Sequence, residues 1–161
     1  MPSSWLGRLG TSRLSHIVEH RTGARSSVRW LADRATEAHR RIAHRALRDD
    51  LARGGELLGA FADGDVAGLA VVVPSFEGDL AQLSWLHVSR PHRRVGAGSA
   101  LWEAAAGLAR RAGATAMYVS ATPTRSAVGF YLRHGCRLAD RVHPALYDVE
   151  PDDIHLVADL G

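Results

Sequence analysis

Short, mostly apolar runs bounded by turn residues lie along the middle of the chain, and this pattern is typical of β-strands. Glu56–Ala62 and residues 66–73 are two such runs, and Asp63 and Gly64 separate them. An Asp-Gly pair between two strand-like runs is typical of a β-hairpin. Leu80–Val88 is a third run of the same kind. We therefore predict a meander of three antiparallel strands.

The loop and strand boundaries around this meander follow from turn residues and from the ends of the apolar runs. Residues 74–79 are predicted to form a loop, and residues 14–20 an additional strand near the start. Apolar residues recur at helical spacing between Leu31 and Leu51, and Gly54 ends that region. This spacing predicts one long helix or two shorter ones.

After the meander the pattern changes to alternating helices and strands. Helices are predicted over residues 98–112 and 123–134, each followed by a glycine, and strands over residues 117–121, 137–141 and 154–160. A meander followed by β-α-β-α-β indicates an α/β fold with a mixed, mostly antiparallel central sheet and flanking helices. Residues 1–161 are long enough for one domain, and we expect residues 1–13 to be partly loose.

Cysteine content and hydropathy limit the class of protein. Cys136 is the only cysteine, so no intrachain disulfide can form, and we expect it to be a small buried apolar residue. No apolar run has the ~20 residues of a membrane helix, and no signal-like apolar segment is found near the start. These features predict a cytoplasmic protein with no membrane partner.

The charge is mildly basic and consists entirely of arginine on the positive side. The formal net charge is +3, the Lys and Arg count is 20, and lysine is absent. A basic excess suits an anionic ligand or nucleic acid. Because the arginines are spread along the chain rather than grouped, we expect no nucleic-acid partner.

The sharpest motif follows the third strand of the meander. Arg93-Arg94-Val95-Gly96-Ala97-Gly98 stands where that strand gives way to a helix. Glycines allow a tight turn, and amides at a helix N-terminus make a concave anion site. The segment lacks the Gly-Lys-Ser/Thr of a Walker loop, and the antiparallel strands before it do not suit a Rossmann fingerprint.

This stretch resembles the acetyl-coenzyme A site of the GNAT superfamily of N-acetyltransferases. The family pattern of Arg or Gln, two residues, Gly, one residue, then Gly or Ala is filled by Arg93, Gly96 and Gly98. The resemblance implies that the backbone of 94–99 holds the pyrophosphate and that Leu86 and Val88 pair with the pantetheine arm. The cofactor-binding residues implied in this region are Leu86, Val88, Arg93, Arg94, Val95, Gly96, Ala97, Gly98 and Ser99.

A second stretch, from Ser126 to Cys136, resembles another family pattern of Asn-Ala, two residues, Phe-Tyr, three residues, Gly-Phe. Ser126 replaces the asparagine that contacts the cofactor in the family, and Cys136 replaces a phenylalanine. The resemblance implies that Ser126 and Phe130 contact the cofactor and that Tyr131 protonates the departing thiolate. The alternative is that Phe130 and Tyr131 are core aromatic residues.

The base that would take the amine proton is not evident from the sequence. Where some family members carry a carboxylate, this chain has Gln82, which is no base. His87 and Glu77 are the nearest candidates, with Asp79 beside them. The alternatives are a structural role for His87 and solvated side chains for the two carboxylates.

The resemblance implies an acetyl-CoA-dependent N-acetyltransferase that uses no metal. The acceptor would be a small-molecule or peptide amine, and similar proteins allow for a homodimer. Two other functions stay open. Gln82 and Ser126 favour a catalytically weakened CoA-binding sensor, and the arginine content favours, more weakly, a nucleic-acid binder.

Overall fold

The structure of the chain is a computed structural model that describes residues 7–9, 12–20, 48–62 and 65–161. Side chains are described for residues 48–62 and from residue 66 onward. The predicted helix between Leu31 and Leu51 lies mostly outside these ranges, as do Asp63 and Gly64. Residues 48–52 are helical and lead into Gly54, which has a positive φ of 89°.

Strands contain more of the described residues than helices do. They are β1 Gly7–Leu9, β2 Ser12–His20, β3 Glu56–Ala62, β4 Asp65–Glu77, β5 Leu80–Val88, β6 Ala116–Ala121, β7 Arg137–Leu138 and β8 Ile154–Asp159. The helices are a 3₁₀ turn Arg90–His92, α1 Ala97–Arg111, α2 Arg125–Arg133 and α3 Pro144–Val149. No helix in the described ranges is both long and apolar enough to span a bilayer.

The strands form one sheet in the order β1-β2-β3-β4-β5-β6-β8-β7. Neighbouring strands are antiparallel except β5 and β6, which are parallel. A parallel pair needs a crossover, and α1 supplies it. The predicted mixed, mostly antiparallel sheet is confirmed, and the strand predicted over residues 14–20 lies in β2. Gly7–Leu9, in the stretch expected to be loose, pairs with β2 as β1.

Several boundaries differ from the prediction, and the strand predicted over residues 137–141 is limited to Arg137–Leu138. The predicted loop over residues 74–79 is wrong, because β4 continues to Glu77. Pro74 fits there because the β4–β5 register shifts between Val73 and Glu77, where no regular ladder donor is required. The stretch around Pro144 also contains a helix, α3, with Pro144 in its first turn.

The main core lies between the sheet and α1. It contains Leu58, Val72, Leu83, Leu101 and Leu156, each at most 2% exposed. A smaller cluster on the opposite sheet face contains Leu57, Leu69 and Val71. Alternate residues of each strand therefore point to opposite faces, and α1 covers the larger apolar face. This packing fixes the first turn of α1 beside the end of β5.

Candidate functional site

An opening between β5 and β6 is the main feature of the sheet. The two strands pair from Leu80↔Ala116 to Leu83↔Val119, and the ladder stops there. Residues 85–88 of β5 pair with β4 on one side and with no described strand on the other, while β6 goes on to Ala121. Their unpaired edge faces a V-shaped gap whose closed end, the apex, is the pair Leu83↔Val119.

A β-bulge at Ser84 produces this divergence. Val71 of β4 is opposite Trp85 and Val72 is opposite Leu83, so Ser84 is the extra residue. A bulge bends its strand and increases its twist. The bend therefore turns the second half of β5 away from β6 and leaves backbone N–H and C=O groups that an extended ligand could pair with.

The turn after β5 reverses the chain within a few residues. Ser89 is 3% exposed, and its backbone N–H and hydroxyl both donate to the Ala67 carbonyl, at 2.9 and 3.0 Å. Arg94 and Gly96 then adopt positive φ values of 64° and 86°. Gly96 is the N-cap of α1, and the left-handed conformation there favours glycine. These constraints direct the backbone amides of this turn and of the first turn of α1 toward the same region of space.

Backbone amides 94–99 donate to no protein carbonyl within the described residues. The first amide that does so is that of Ala100, which donates to the Gly96 carbonyl at 2.9 Å. No side chain caps α1, and no acidic residue lies in its first turn. Unsatisfied amides combine with the positive end of the helix dipole, so the turn fits an anion such as a pyrophosphate.

The arginines of the turn have different roles. The Arg93 Nε donates to the Val88 carbonyl at 3.1 Å, which braces the turn against the end of β5. Arg90 and Arg94 are exposed beside the free amides. They add positive charge where an anion would approach.

Gly98 has a packing role that the sequence does not reveal. A Cβ on Gly98 would lie 3.1 Å from Phe130 Cε2 and 3.5 Å from Val88 Cγ2. The missing side chain therefore lets α1 approach the Phe130 ring on α2. Val95 is partly buried and Ala97 is 1% exposed, so their side chains also pack toward protein.

His134 joins the two helices at this point. Its Nδ1 lies 2.8 Å from the Phe130 carbonyl, and its Nε2 lies 3.0 Å from the Ser99 hydroxyl. A carbonyl can only accept, so Nδ1 carries a proton, and in the neutral ring Nε2 accepts from Ser99. The Ser99 hydroxyl is thus engaged by His134, although its backbone amide stays free. Sequence reasoning missed His134.

Tyr131 lies on the α1 side of the sheet and is 8% exposed. Its ring packs edge-on against Trp102 and Phe130, with centroids 5.8 and 5.2 Å away. Burial raises the pKa of the phenol well above its usual value, and nearby Cys136 and Asp153 raise it further. Tyr131 therefore stays protonated at neutral pH. Ser126, in the first turn of α2, is exposed.

The structure separates His87 from the other two candidate bases. Leu86, His87 and Val88 lie on the half of β5 that extends past its pairing with β6, and all three are partly buried. Glu77 is the last residue of β4, opposite Leu80 at the other end of β5, and its exposed carboxylate is 3.3 Å from His143 Nε2. Asp79 accepts a 2.5 Å hydrogen bond from Thr115. Glu77 and Asp79 thus lie at the paired end of β5, and the glycine turn lies at its other end.

A polar cluster on the sheet face opposite α1 was also missed. The Tyr118 hydroxyl lies 2.7 Å from His155 Nδ1 and accepts the backbone N–H of His143 at 2.9 Å. Tyr118 and His155 are 4% and 7% exposed. The available signal was a polar residue in each of two mostly apolar strand runs.

A cavity of about 680 Å³ lies next to Tyr118 and His143. It is lined by Glu77, Leu80, Tyr118, Arg137, Ala139, Asp140, Arg141, Val142, His143, Pro144 and Val157.

Comparison with known families agrees with this geometry. Residues 25–136, more than half of the chain, match the family model described as Acetyltransferase (GNAT) family. The chain belongs to the GNAT acetyltransferase family. The resemblance seen in the glycine turn is thereby confirmed at the level of the family. Among curated proteins, none matches this GNAT chain significantly.

Solved structures show the same fold. A nourseothricin acetyltransferase is 27% identical, with a TM-score of 0.58 and 66% of each chain covered. An acetyltransferase of the GNAT family from Staphylococcus aureus Mu50 is 16% identical, with a TM-score of 0.72, 90% of this chain and 99% of that chain covered. The PaiA N-acetyltransferase from Thermoplasma acidophilum, in complex with coenzyme A, is 15% identical, with a TM-score of 0.66 and 89% and 99% covered.

Proposed function

We propose that this GNAT protein transfers an acetyl group from acetyl-CoA to a primary amine by direct attack of the amine on the thioester. One observation carries the proposal. The unpaired edge of β5 at residues 84–88 leads directly into the free amides 94–99 at the start of α1. A ligand with an extended amide-containing arm and a diphosphate matches both features. The CoA bound in the Thermoplasma protein is such a ligand.

The geometry also supports a position for the acetyl group. An arm that pairs with the free edge of β5 runs from the glycine turn toward the apex of the V, where β6 closes the gap. The thioester would therefore lie near Ser84, between the two sheet faces. Tyr131 lies on the α1 side and keeps its proton at neutral pH, as a general acid for the departing thiolate must.

The acceptor is the open part of this proposal. The nourseothricin acetyltransferase is the one relative above whose name states what it acts on. We therefore expect a small molecule with a primary amine, with peptide amines as the next class. Chemistry alone does not select one member, because the fold supports many acceptors.

A panel of amines with acetyl-CoA tests the proposal. Small polyamines, nourseothricin, amino-acid amides and short peptides are each incubated with protein and acetyl-CoA, and free thiol is measured. We expect thiol release above the hydrolysis background for at least one class, with a mass increase of one acetyl group on that amine. Binding of acetyl-CoA without thiol release for every class would instead support the CoA-binding sensor, which Gln82 and the exposed Ser126 favour.

A further inference from the structure

The sheet face opposite α1 presents polar side chains at the level of the apex. The last β5–β6 pair is Leu83↔Val119, and the next residue of β6, Ser120, is paired with His155 of β8. His155 is thus one strand away from the closed end of the V. Glu77 and Asp79, in contrast, lie at the end of β4 and in the turn before β5, at the opposite end of β5 from the glycine turn.

Strand alternation places Gln82, Tyr118 and His155 on this face. Their sequence neighbours Ala81, Leu83, Met117, Val119 and Leu156 belong to the core that packs against α1. Because successive side chains of a strand point to opposite faces, the three polar residues point away from α1. Gln82 and Tyr118 are also register partners across the parallel β5–β6 pair.

A hydrogen-bonded chain fixes the His155 ring. The Tyr118 oxygen accepts the His143 backbone N–H at 2.9 Å, and it lies 2.7 Å from His155 Nδ1. The Tyr118 hydroxyl can either donate its proton to Nδ1 or accept the proton on Nδ1 through its second lone pair, and the proposal below requires the second arrangement. In that tautomer Nε2 carries no proton and has a free lone pair.

Two buried polar atoms of this cluster have no partner among the described residues. His155 Nε2 and Gln82 Oε1 are buried and make no hydrogen bond within the described ranges, and their residues are 7% and 5% exposed. Leaving a buried polar group unpaired is unfavourable. Such groups in a native protein call for an explanation, and a ligand donor is one. An amine that reached the apex from this face could supply an N–H group to His155 Nε2.

The charged and titratable groups around His155 favour a neutral resting ring that can still accept a proton. Burial lowers the pKa of His155 and nearby His143 lowers it further, whereas the Asp153 carboxylate acts in the opposite direction. Asp153 also accepts a hydrogen bond from Ser120 at 3.0 Å. From α3, the Tyr147 ring lies 6.4 Å from the His155 ring. Asp153 would stabilise the imidazolium once it forms.

We propose that His155 Nε2 accepts the proton of the attacking amine and that Tyr118 is the positioning residue that holds the imidazole in the required tautomer. This inference rests on the proposed transferase function. The amine nitrogen forms a bond to the acetyl carbon, the carbon–sulfur bond breaks, the amine proton goes to Nε2, and the thiolate receives the Tyr131 proton. His155 then accepts the amine proton from one face of the sheet, and Tyr131 protonates the leaving sulfur from the other face.

Substitutions at His155 and Tyr118 test the assignment through the pH profile. In the wild-type protein the acid limb of kcat/KM should lie below the usual histidine range of ~6.5, because His155 must be neutral. In His155→Gln the acid limb should disappear, and kcat at pH 7 should fall by ~10²-fold. In Tyr118→Phe the pH of the acid limb should shift, and kcat should fall by less than in His155→Gln. Tyr147→Phe, which removes a hydroxyl from the other tyrosine ring beside His155, is the matched control and should keep the wild-type profile.

Nitrogen-15 NMR of the imidazole provides a readout that does not depend on activity. At pH 7 the His155 ring of the free protein should be neutral and protonated at Nδ1, and Tyr118→Phe should alter that tautomer. A proton on Nε2 at pH 7 would overturn the proposal.

The kinetic outcomes separate this proposal from the proposed function. If His155→Gln keeps the wild-type rate and pH profile, while the wild-type protein releases thiol, the base assignment is wrong and the transferase function stands. If the wild-type protein itself releases no thiol with any amine, the transferase function fails, and the base assignment fails with it. Acetyl-CoA affinity in His155→Gln, expected within twofold of wild type, shows that the variant is folded.

Discussion

At the scale of single residues, burial controls the proton affinity of the side chains that matter most. Tyr131 is enclosed by Trp102 and Phe130, and this environment raises its pKa above the usual value. A phenol that never ionises near pH 7 holds its proton for transfer, but its packing also contributes to the core. A useful test must separate these two roles.

Tyr131→Phe should lower kcat by ~10²-fold while the dissociation constant of acetyl-CoA stays within threefold. The phenyl ring keeps the contacts with Trp102, and only the hydroxyl is lost. Steady-state thiol release and calorimetry measure the two quantities. A Tyr147→Phe variant, which removes a hydroxyl from an exposed ring on α3, should keep the wild-type kcat. An unchanged kcat in Tyr131→Phe would mean that another group protonates the thiolate.

Cys136 should make stability fall at alkaline pH. Burial raises the pKa of its thiol to about 12 from an ordinary 9.0. The unfolded thiol therefore ionises first, and stability present below pH 9.0 is lost as pH rises toward 12. Lysine, which would titrate in the same interval, is absent. Urea midpoints between pH 8 and 9.5 should decline in the wild type and decline less in Cys136→Ser. Equal slopes would contradict the raised pKa.

At the scale of elements, the start of α1 determines how an anion could bind. Its amides are free because Gly96 offers no capping side chain and because the turn before it contains two positive φ values. The same helix packs Leu101, Trp102 and Ala105 into the core, so the turn that would bind an anion is attached to a well-packed element. The site is therefore preorganised by packing rather than assembled by the ligand.

Gly96→Asp should abolish CoA binding and leave the protein folded. Aspartate is a favoured N-cap, so its carboxylate would take the free amides and repel a diphosphate. Gly113→Asp is the matched control, since Gly113 has a φ of 89° against 86° for Gly96 but lies after the helix. Calorimetric titration with CoA and thermal melts of both variants measure the effect. CoA binding retained by Gly96→Asp would rule out the amide site.

At the scale of the whole molecule, the sheet is divided at β5. Residues 80–83 of β5 pair with β6 and so join the two halves of the sheet, β1–β5 and β6–β8. From residue 84 onward the two halves diverge. A ligand in the V would restore the missing partner of β5 and so couple the two halves. Binding to the native state alone raises stability by ~2.7 kcal/mol when the ligand is at 100 times its dissociation constant.

Hydrogen exchange should locate this coupling. Amides among residues 84–88 and 94–99 should exchange faster in the free protein than those of residues 117–119, which lie in regular pairing. CoA should slow exchange in the first two segments by at least tenfold and change the third little. Protection that appears only outside residues 84–99 would place the ligand elsewhere.

The comparison of sequence and structure shows which features are local. Glu56–Ala62 and Leu80–Val88 were predicted with the bounds that the structure has, because short apolar runs and the turn residues at their ends determine them. Residues 74–79 were predicted as a loop, and only the register shift of the β4–β5 pair explains why a strand contains Pro74. The helix Pro144–Val149 was missed because its short run carries no clear apolar period.

The candidate site divides in the same way. The glycine turn and its free amides follow from residues adjacent in sequence, since glycine and helix geometry act over a few residues. Other features of the site depend on residues that are far apart in the chain. They are the bulge at Ser84, the contact of Gly98 with Phe130, the His134–Ser99 hydrogen bond and the Tyr118–His155 hydrogen bond. Those depend on strand register and on helix packing, which are properties of the folded chain as a whole. The sequence by itself therefore determined the family and the glycine turn that we propose binds a diphosphate, and only the tertiary structure decided which polar groups meet at the apex of the V.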